Sequence, residues 1–246
     1  MPGSQSSGYR SPRIAAYVVI ALLAVGIVAD AIAFLFEIGT YGVLAQLERG
    51  VDVSIAELQA AETRSLLANL AQLAAYWMAI IAFVFWFARA YRNGARLGAR
   101  GLRYKPGWAI GAWFVPILNL VRPKRIANDI WRAADPALGR GADGWQSGSV
   151  SSLIHWWWGV WLFSGLVGNT ARFMYSEAGT LGEQLRASTV GAIVDVVFIV
   201  ASVLAILVVR ALTARQEERA RTLDALESEG PPGLQTAPAP LALSHA

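Results

Sequence analysis

Apolar residues in this chain fall into blocks of twenty or more that lack a polar face, at about 14–36, 66–88, 150–170 and 188–210. A soluble helix shows an apolar stripe that returns every three or four residues beside a polar one. Unbroken runs of this length are the pattern of membrane-spanning helices. The first run, as a helix, rises about 34 Å, enough to cross a hydrocarbon layer of about 30 Å with some tilt. A cleaved signal peptide is the competing reading of this run, because Ala29, Ala31 and Ala33 give small residues at cleavage spacing. The run continues through Ile32, Phe34, Leu35 and Phe36, which favours an uncleaved anchor.

The polar segments between the runs set the remaining expectations. Residues 1–13, rich in Ser, Gly and Pro, read as a disordered tail. Ser54 and Glu57 have the spacing of a capping box, so a helix is expected to start near Ile55 and pass unbroken into the second span. After the fourth span, 211–229 reads as a polar helix of mixed charge, and 230–246, rich in Pro and Ala, as disordered.

A fifth apolar stretch, 107–121, is too short to span, at about 22 Å of helix. Pro116 interrupts helical hydrogen bonding within it, and the Asn119 amide is suited to satisfy backbone groups so freed. It is read as a re-entrant or interfacial element carrying Trp113, Pro116 and Asn119. Either it floors a cavity or it plugs the bundle. From Pro123 to Asp135, Ile126, Ile130, Trp131 and Ala134 share one side, which predicts a short amphipathic helix on the membrane surface. The fold class is therefore all-α membrane protein: four transmembrane helices, the short re-entrant or interfacial segment and the surface helix, the transmembrane domain covering 14–210.

Charge fixes the expected orientation. Residues 89–147 hold eleven Lys or Arg against three Asp, so by the positive-inside rule this loop and both termini are cytoplasmic. Were 107–121 to cross, Arg122, Lys124 and Arg125 would lie outside and break that asymmetry. Arg89, Arg92, Arg96, Arg100 and Arg103 recur at three- and four-residue spacing and align on one face if the second helix continues that far, although Gly94, Gly98 and Gly101 oppose continuation. With Arg122, Lys124 and Arg125 they form a candidate surface for anionic lipid headgroups or a protein partner. Nucleic acid is not expected, since a basic inner loop is general to membrane proteins.

Composition narrows the chemistry. The chain has no cysteine and only two histidines, His155 and His245, which excludes disulfides and thiolate ligands and leaves a histidine-based metal or haem site without its donors. No nucleophile triad, phosphate loop or dinucleotide motif occurs, so neither enzymatic activity nor a cofactor is expected. His155 beside Trp156, Trp157 and Trp158 reads as an interfacial anchor.

Asp30 and Asp195 are the acidic residues inside predicted spans, each about 10 Å below the outer surface and each preceded by a glycine at i−4, Gly26 and Gly191. Asn69, Gln72 and Tyr76 begin at the same depth, and Asn169 and Arg172 end the third span there. A candidate intramembrane polar cluster of Asp30, Asn69, Gln72, Asn169, Arg172 and Asp195 follows. It serves either structural pairing or proton or ion passage in a small, oligomeric transporter or channel.

The segment WFARAYRNGARLGARGLRYKPGWAIGAWFVPILNLVRPKRIANDIWRAADP resembles the domain of unknown function 4328 family of bacterial membrane proteins. Its WF-x-R-x-x-R-N, PGW, WFVP-x-x-N and RP elements at 86–123 carry the likeness, with VVRALTARQ at 208–216 in weaker support. The resemblance implies a multi-pass protein of the bacterial cytoplasmic membrane and adds no chemistry. The expected role is a non-enzymatic component that interacts with lipid or protein, possible self-association included.

Overall fold

The computed structural model describes residues 8–138 and 144–228, and among these every regular element is helical. The elements are α1 (Arg13–Glu48), α2 (Ile55–Arg96), the single turn α3 (Trp108–Gly111), α4 (Arg122–Ala133), α5 (Ser152–Glu177) and α6 (Leu181–Ser228). By length and composition α1, α2 and α6 can cross a membrane. The 26 residues of α5 include His155, Ser164, Asn169 and Arg172, which dilute its apolar character. The expected disordered tail at 230–246, His245 within it, and the Gly-rich 139–143 lie outside the described residues.

Local chemistry fixes the helix ends. α1 closes in a Schellman turn: Gly50, at φ 74°, donates to Leu47 O and Val51 to Gln46 O. A side chain other than glycine's is strained at that φ, so this glycine lets the chain reverse into α2. The capping box expected at Ser54 is present. Ser54 Oγ accepts from Glu57 N at 3.2 Å, and Glu57 Oε2 accepts from Ser54 N at 3.0 Å. α6 starts on a second box, in which Glu183 accepts from Thr180 N and Thr180 Oγ1 accepts from Glu183 N.

The helices form two antiparallel hairpins, α1–α2 and α5–α6, whose tips lie at one end, the crown. The N-terminal segment, α3, α4 and the last turns of α6 gather at the other, the base. α1 packs against both α2 and α6, and α5 packs on α6. The α1–α2 seam uses small residues: Ala61, Ala68 and Ala75 recur every seven residues on the buried face of α2. The large core side chains lie instead toward the base, among them Trp86, Phe87, Ile126, Ile130, Ile154, Trp157 and Leu212.

Several boundaries differ from those the sequence predicts. α1 runs past residue 36 to Glu48, because its polar end is stabilised by α2 alongside rather than by lipid. The expected fourth span and polar helix are one rod of 48 residues, about 72 Å long. Residues 8–12 are not a loose tail: Pro12 is buried, and Tyr9 and Ser11 both donate to Glu217 on α6. The arginine stripe is broken. α2 stops at Arg96 where Gly98, at φ 93°, supplies the turn, so Arg100 and Arg103 leave the face that carries Arg89, Arg92 and Arg96.

The segment 107–121 enters the bundle at its base and turns back. Trp113 sits edge-on to Phe83 and Phe87 of α2, at 5.6 and 5.7 Å, and to Trp161 of α5 at 5.6 Å. Phe83 lies about 9 Å crownward of Arg89 along α2. The segment thus wedges between α2 and α5 and returns to the base at Arg122. Its turning point is Ile117, whose φ of 67° is strained for a β-branched side chain. The helix that follows, α4, packs its apolar residues Ile126, Ile130 and Ala133 into the protein. Its apolar face covers the underside of the bundle, where the sequence predicts a face on the membrane surface.

Candidate functional site

Two polar regions stand out, one between the long helices and one at the base. In the first, the Gln72 side chain reaches from α2 into the α1–α6 seam. Its Nε2 donates to Asp30 Oδ1 at 3.1 Å and to Asp195 Oδ1 at 2.9 Å. An amide nitrogen has two hydrogens, so one side chain serves both carboxylates. Asp195 is buried, and Asp30 and Gln72 are half-buried.

Seven residues crownward on each helix, about 10 Å, lies a second polar level. Glu37 Oε2 accepts from the Tyr175 hydroxyl at 3.0 Å, and Ser188 is buried beside them. Gly191 leaves the room that the Tyr175 hydroxyl occupies: a Cβ would stand 2.8 Å from that oxygen. Gly26 has no such role, because a Cβ there meets nothing within 4 Å. Farther toward the crown, Thr40 and Ser65 hydroxyls bond at 3.1 Å between α1 and α2. Below Asp30 the interior turns apolar and aromatic down to the base.

The other expected members of this cluster stand apart. Asn69 and Asn169 are exposed, and the Asn169 amide donates to Gly165 O within its own helix. Arg172 is exposed. Glu37, Ser188 and Tyr175 were not singled out by sequence reasoning. The signal was there for two of them, since Glu37 follows Asp30 by seven residues and Ser188 precedes Asp195 by seven. On a helix that spacing keeps one face.

At the base, the cations divide by partner. Arg103 pairs with Asp129 at 3.2 Å, yet burial raises the Asp129 carboxyl above its ordinary range, outweighing the pull of Arg103 toward the ionised form. Arg89 donates to Arg10 O, and Arg96 packs against Gly8, so both help seat the N-terminal segment. Arg122 stacks over Trp108, its guanidinium carbon 3.9 Å from the ring centroid, with Tyr104 at 5.4 Å. Arg92, Arg100 and Arg125 are exposed, and Lys124 is half-buried. Beside them the returning turn exposes Phe114 at 69% and Ile117 at 77%. Pro116 is exposed at this tip and Asn119 half-buried. Asn119 N donates to Val115 O across the turn.

The base also holds a buried amide latch that sequence reasoning missed. Gln216 Nε2 donates to Ala90 O at 2.7 Å, and Asn93 Nδ2 donates to Gln216 Oε1 at 3.3 Å and to Arg10 O at 3.0 Å. Trp86 Nε1 donates to Thr213 Oγ1 at 3.1 Å. Arg219, buried, donates to Leu97 O and Leu138 O. These bonds dock the polar end of α6 onto α2. Asn93 and Gln216 end two of the motifs that carry the family resemblance.

Three helices long and apolar enough to cross a membrane, in a structure whose described elements are all helical, define an all-helical integral membrane protein. Residues 49–214 match the family described as Domain of unknown function (DUF4328), and the chain belongs to that family. No curated protein and no solved structure matches the chain.

Proposed function

We propose that this chain is a four-span, non-enzymatic protein of the bacterial plasma membrane, with both termini cytoplasmic, whose base holds anionic lipid headgroups. α5 is the third span in chain order, between α2 and α6. α2 ends at the base and α6 begins at the crown, so the chain must return between them, and α5 is the element that does so. The basic loop between α2 and α5 then lies inside, as the positive-inside rule requires.

The observation that carries the lipid reading is the turn at the base. Its exposed apolar tip, Phe114 and Ile117, is entered after Lys105 and left through Arg122, Lys124 and Arg125. Apolar side chains facing acyl chains with cations at headgroup depth suit an anionic leaflet, at about 1 kcal/mol per basic residue near the surface. The test is lipid exchange of the full chain in nanodiscs, read by native mass spectrometry. Wild type should retain phosphatidylglycerol over phosphatidylcholine, and the Arg92, Arg100, Lys124 and Arg125→Gln variant should lose that preference. Equal retention by both proteins contradicts the reading, and a co-purifying protein or a second copy seated on the base would replace it with a protein interface.

A second reading, a small transporter, draws on the Asp30–Gln72–Asp195 cluster. The apolar core below it speaks against a standing path, so passage would require helices to move. Proton or cation flux in vesicles, lost in an Asp30→Asn and Asp195→Asn variant that keeps its thermal stability, would support it. Absence of flux in wild type removes it.

A further inference from the structure

On the lipid-facing side of the α1–α6 seam, toward the crown, lies a cavity of about 510 Å³. Its floor is apolar, formed by Phe34 and Ile38 of α1 and Ile193 and Val197 of α6, and its polar end is Glu37 with Ser188 and Thr189. We propose that this groove binds a zwitterionic phospholipid with a primary ammonium headgroup, one acyl chain lying along the apolar floor and the ammonium meeting Glu37.

Two features select that occupant over any lipid that merely fills an apolar groove. First, Glu37 is an acidic group at the groove, and its hydrogen-bond donor, the Tyr175 hydroxyl, is neutral. The ion pairs Arg13–Glu217, Arg103–Asp129 and Arg215–Asp135 all lie at the base, away from it. A half-buried carboxylate at the edge of the hydrocarbon favours a cationic partner that arrives with its own apolar body. Second, Phe34 and Tyr41, three residues before and four after Glu37, line the same groove, so aromatic rings flank the carboxylate on its helix face. Ring faces attract ammonium groups.

An anionic headgroup meets repulsion at Glu37, and a choline headgroup has no N–H to donate to it. The base reading is independent, because it concerns another lipid class at the other end of the bundle.

The test uses the full chain in nanodiscs containing equal parts of phosphatidylethanolamine, phosphatidylcholine and phosphatidylglycerol with identical acyl chains. Bound lipids are counted by native mass spectrometry. Phosphatidylethanolamine should be enriched over phosphatidylcholine by about tenfold, the scale of one charge-assisted hydrogen bond. E37Q, which keeps an acceptor for Tyr175, should bring that ratio to the bulk value. I193W, which fills the groove without altering charge, should displace the lipid whatever its headgroup. Enrichment that survives either change, or a bulk ratio in wild type, overturns the proposal. Should E37Q fail to fold, wild type and I193W still decide it.

Discussion

The carboxylates of Asp30 and Asp195, on helices α1 and α6, accept hydrogen bonds from one nitrogen, Gln72 Nε2, at 3.1 and 2.9 Å. Three helices are thereby tied at one depth by a single neutral donor. Its removal leaves two carboxylates facing each other without a shared partner. Gln72→Leu should lower the melting temperature in detergent more than Asp30→Asn does, with a cost of about 1–3 kcal/mol for the orphaned acceptors. Adding Asp30→Asn and Asp195→Asn to Gln72→Leu should recover part of the loss. Additive losses would show that Gln72 does not couple the two.

The close approach at Gly191 makes a sharper steric prediction. Gly191→Ala puts a methyl group 2.8 Å from the Tyr175 hydroxyl and 3.5 Å from the Glu37 carboxyl carbon. The Tyr175 ring or the α5–α6 contact must give way, at about 1 kcal/mol if the ring alone moves and up to about 3 kcal/mol if the helices do. Tyr175→Phe removes the colliding oxygen, so Gly191→Ala should cost less in that background. Thermal melts of the four proteins form the cycle.

Asp129 gives a pH dependence at the base. Its carboxyl is raised by burial despite Arg103, so the folded protein holds that proton more tightly than the unfolded chain does. Stability from this group is present below the ordinary carboxylate pKa and falls as pH rises toward the raised value. Asp129→Asn should flatten the decline in melting temperature across the mildly acidic range. An unchanged slope would place the titrating group elsewhere.

The amide latch joins three parts of the base. Gln216→Leu strips one of the two acceptors from Asn93 Nδ2, which keeps Arg10 O, and the side-chain donor from Ala90 O, all three residues being buried. The expected cost is about 1–3 kcal/mol. Faster protease cleavage within 211–228 should accompany it, since that end of α6 depends on the latch for its seat on α2.

These relationships differ in how far the sequence foretold them. Asp30, Gln72 and Asp195 were matched by depth alone, because a helix rises by a fixed step and the apolar runs gave each a starting level. The same reasoning placed Asn69, Asn169 and Arg172 at that depth but not on the seam. Depth does not reveal which way a helix is turned when its composition is apolar all round. The latch was missed for a related reason. Asn93, Gln216 and Arg219 lie among polar residues beyond the apolar runs, where a buried amide looks like any solvated one. Length and Pro116 set 107–121 apart in the sequence as a short re-entrant or interfacial segment, while its filling of the gap between α2 and α5 depends on Trp113 meeting rings from both helices.

The segment 107–121 enters and leaves the bundle at its base, so in the proposed topology Lys105 and Arg125 share the cytoplasmic compartment while the α1–α2 tip occupies the other. Because the chain has no cysteine, single substitutions Lys105→Cys, Arg125→Cys and Asp52→Cys can be probed in intact cells with a membrane-impermeant thiol reagent. Labelling at 52 is expected from outside, and labelling at 105 and 125 only after the membrane is opened. Labelling at 125 from outside with 105 protected would make the segment a full crossing and overturn the proposed topology.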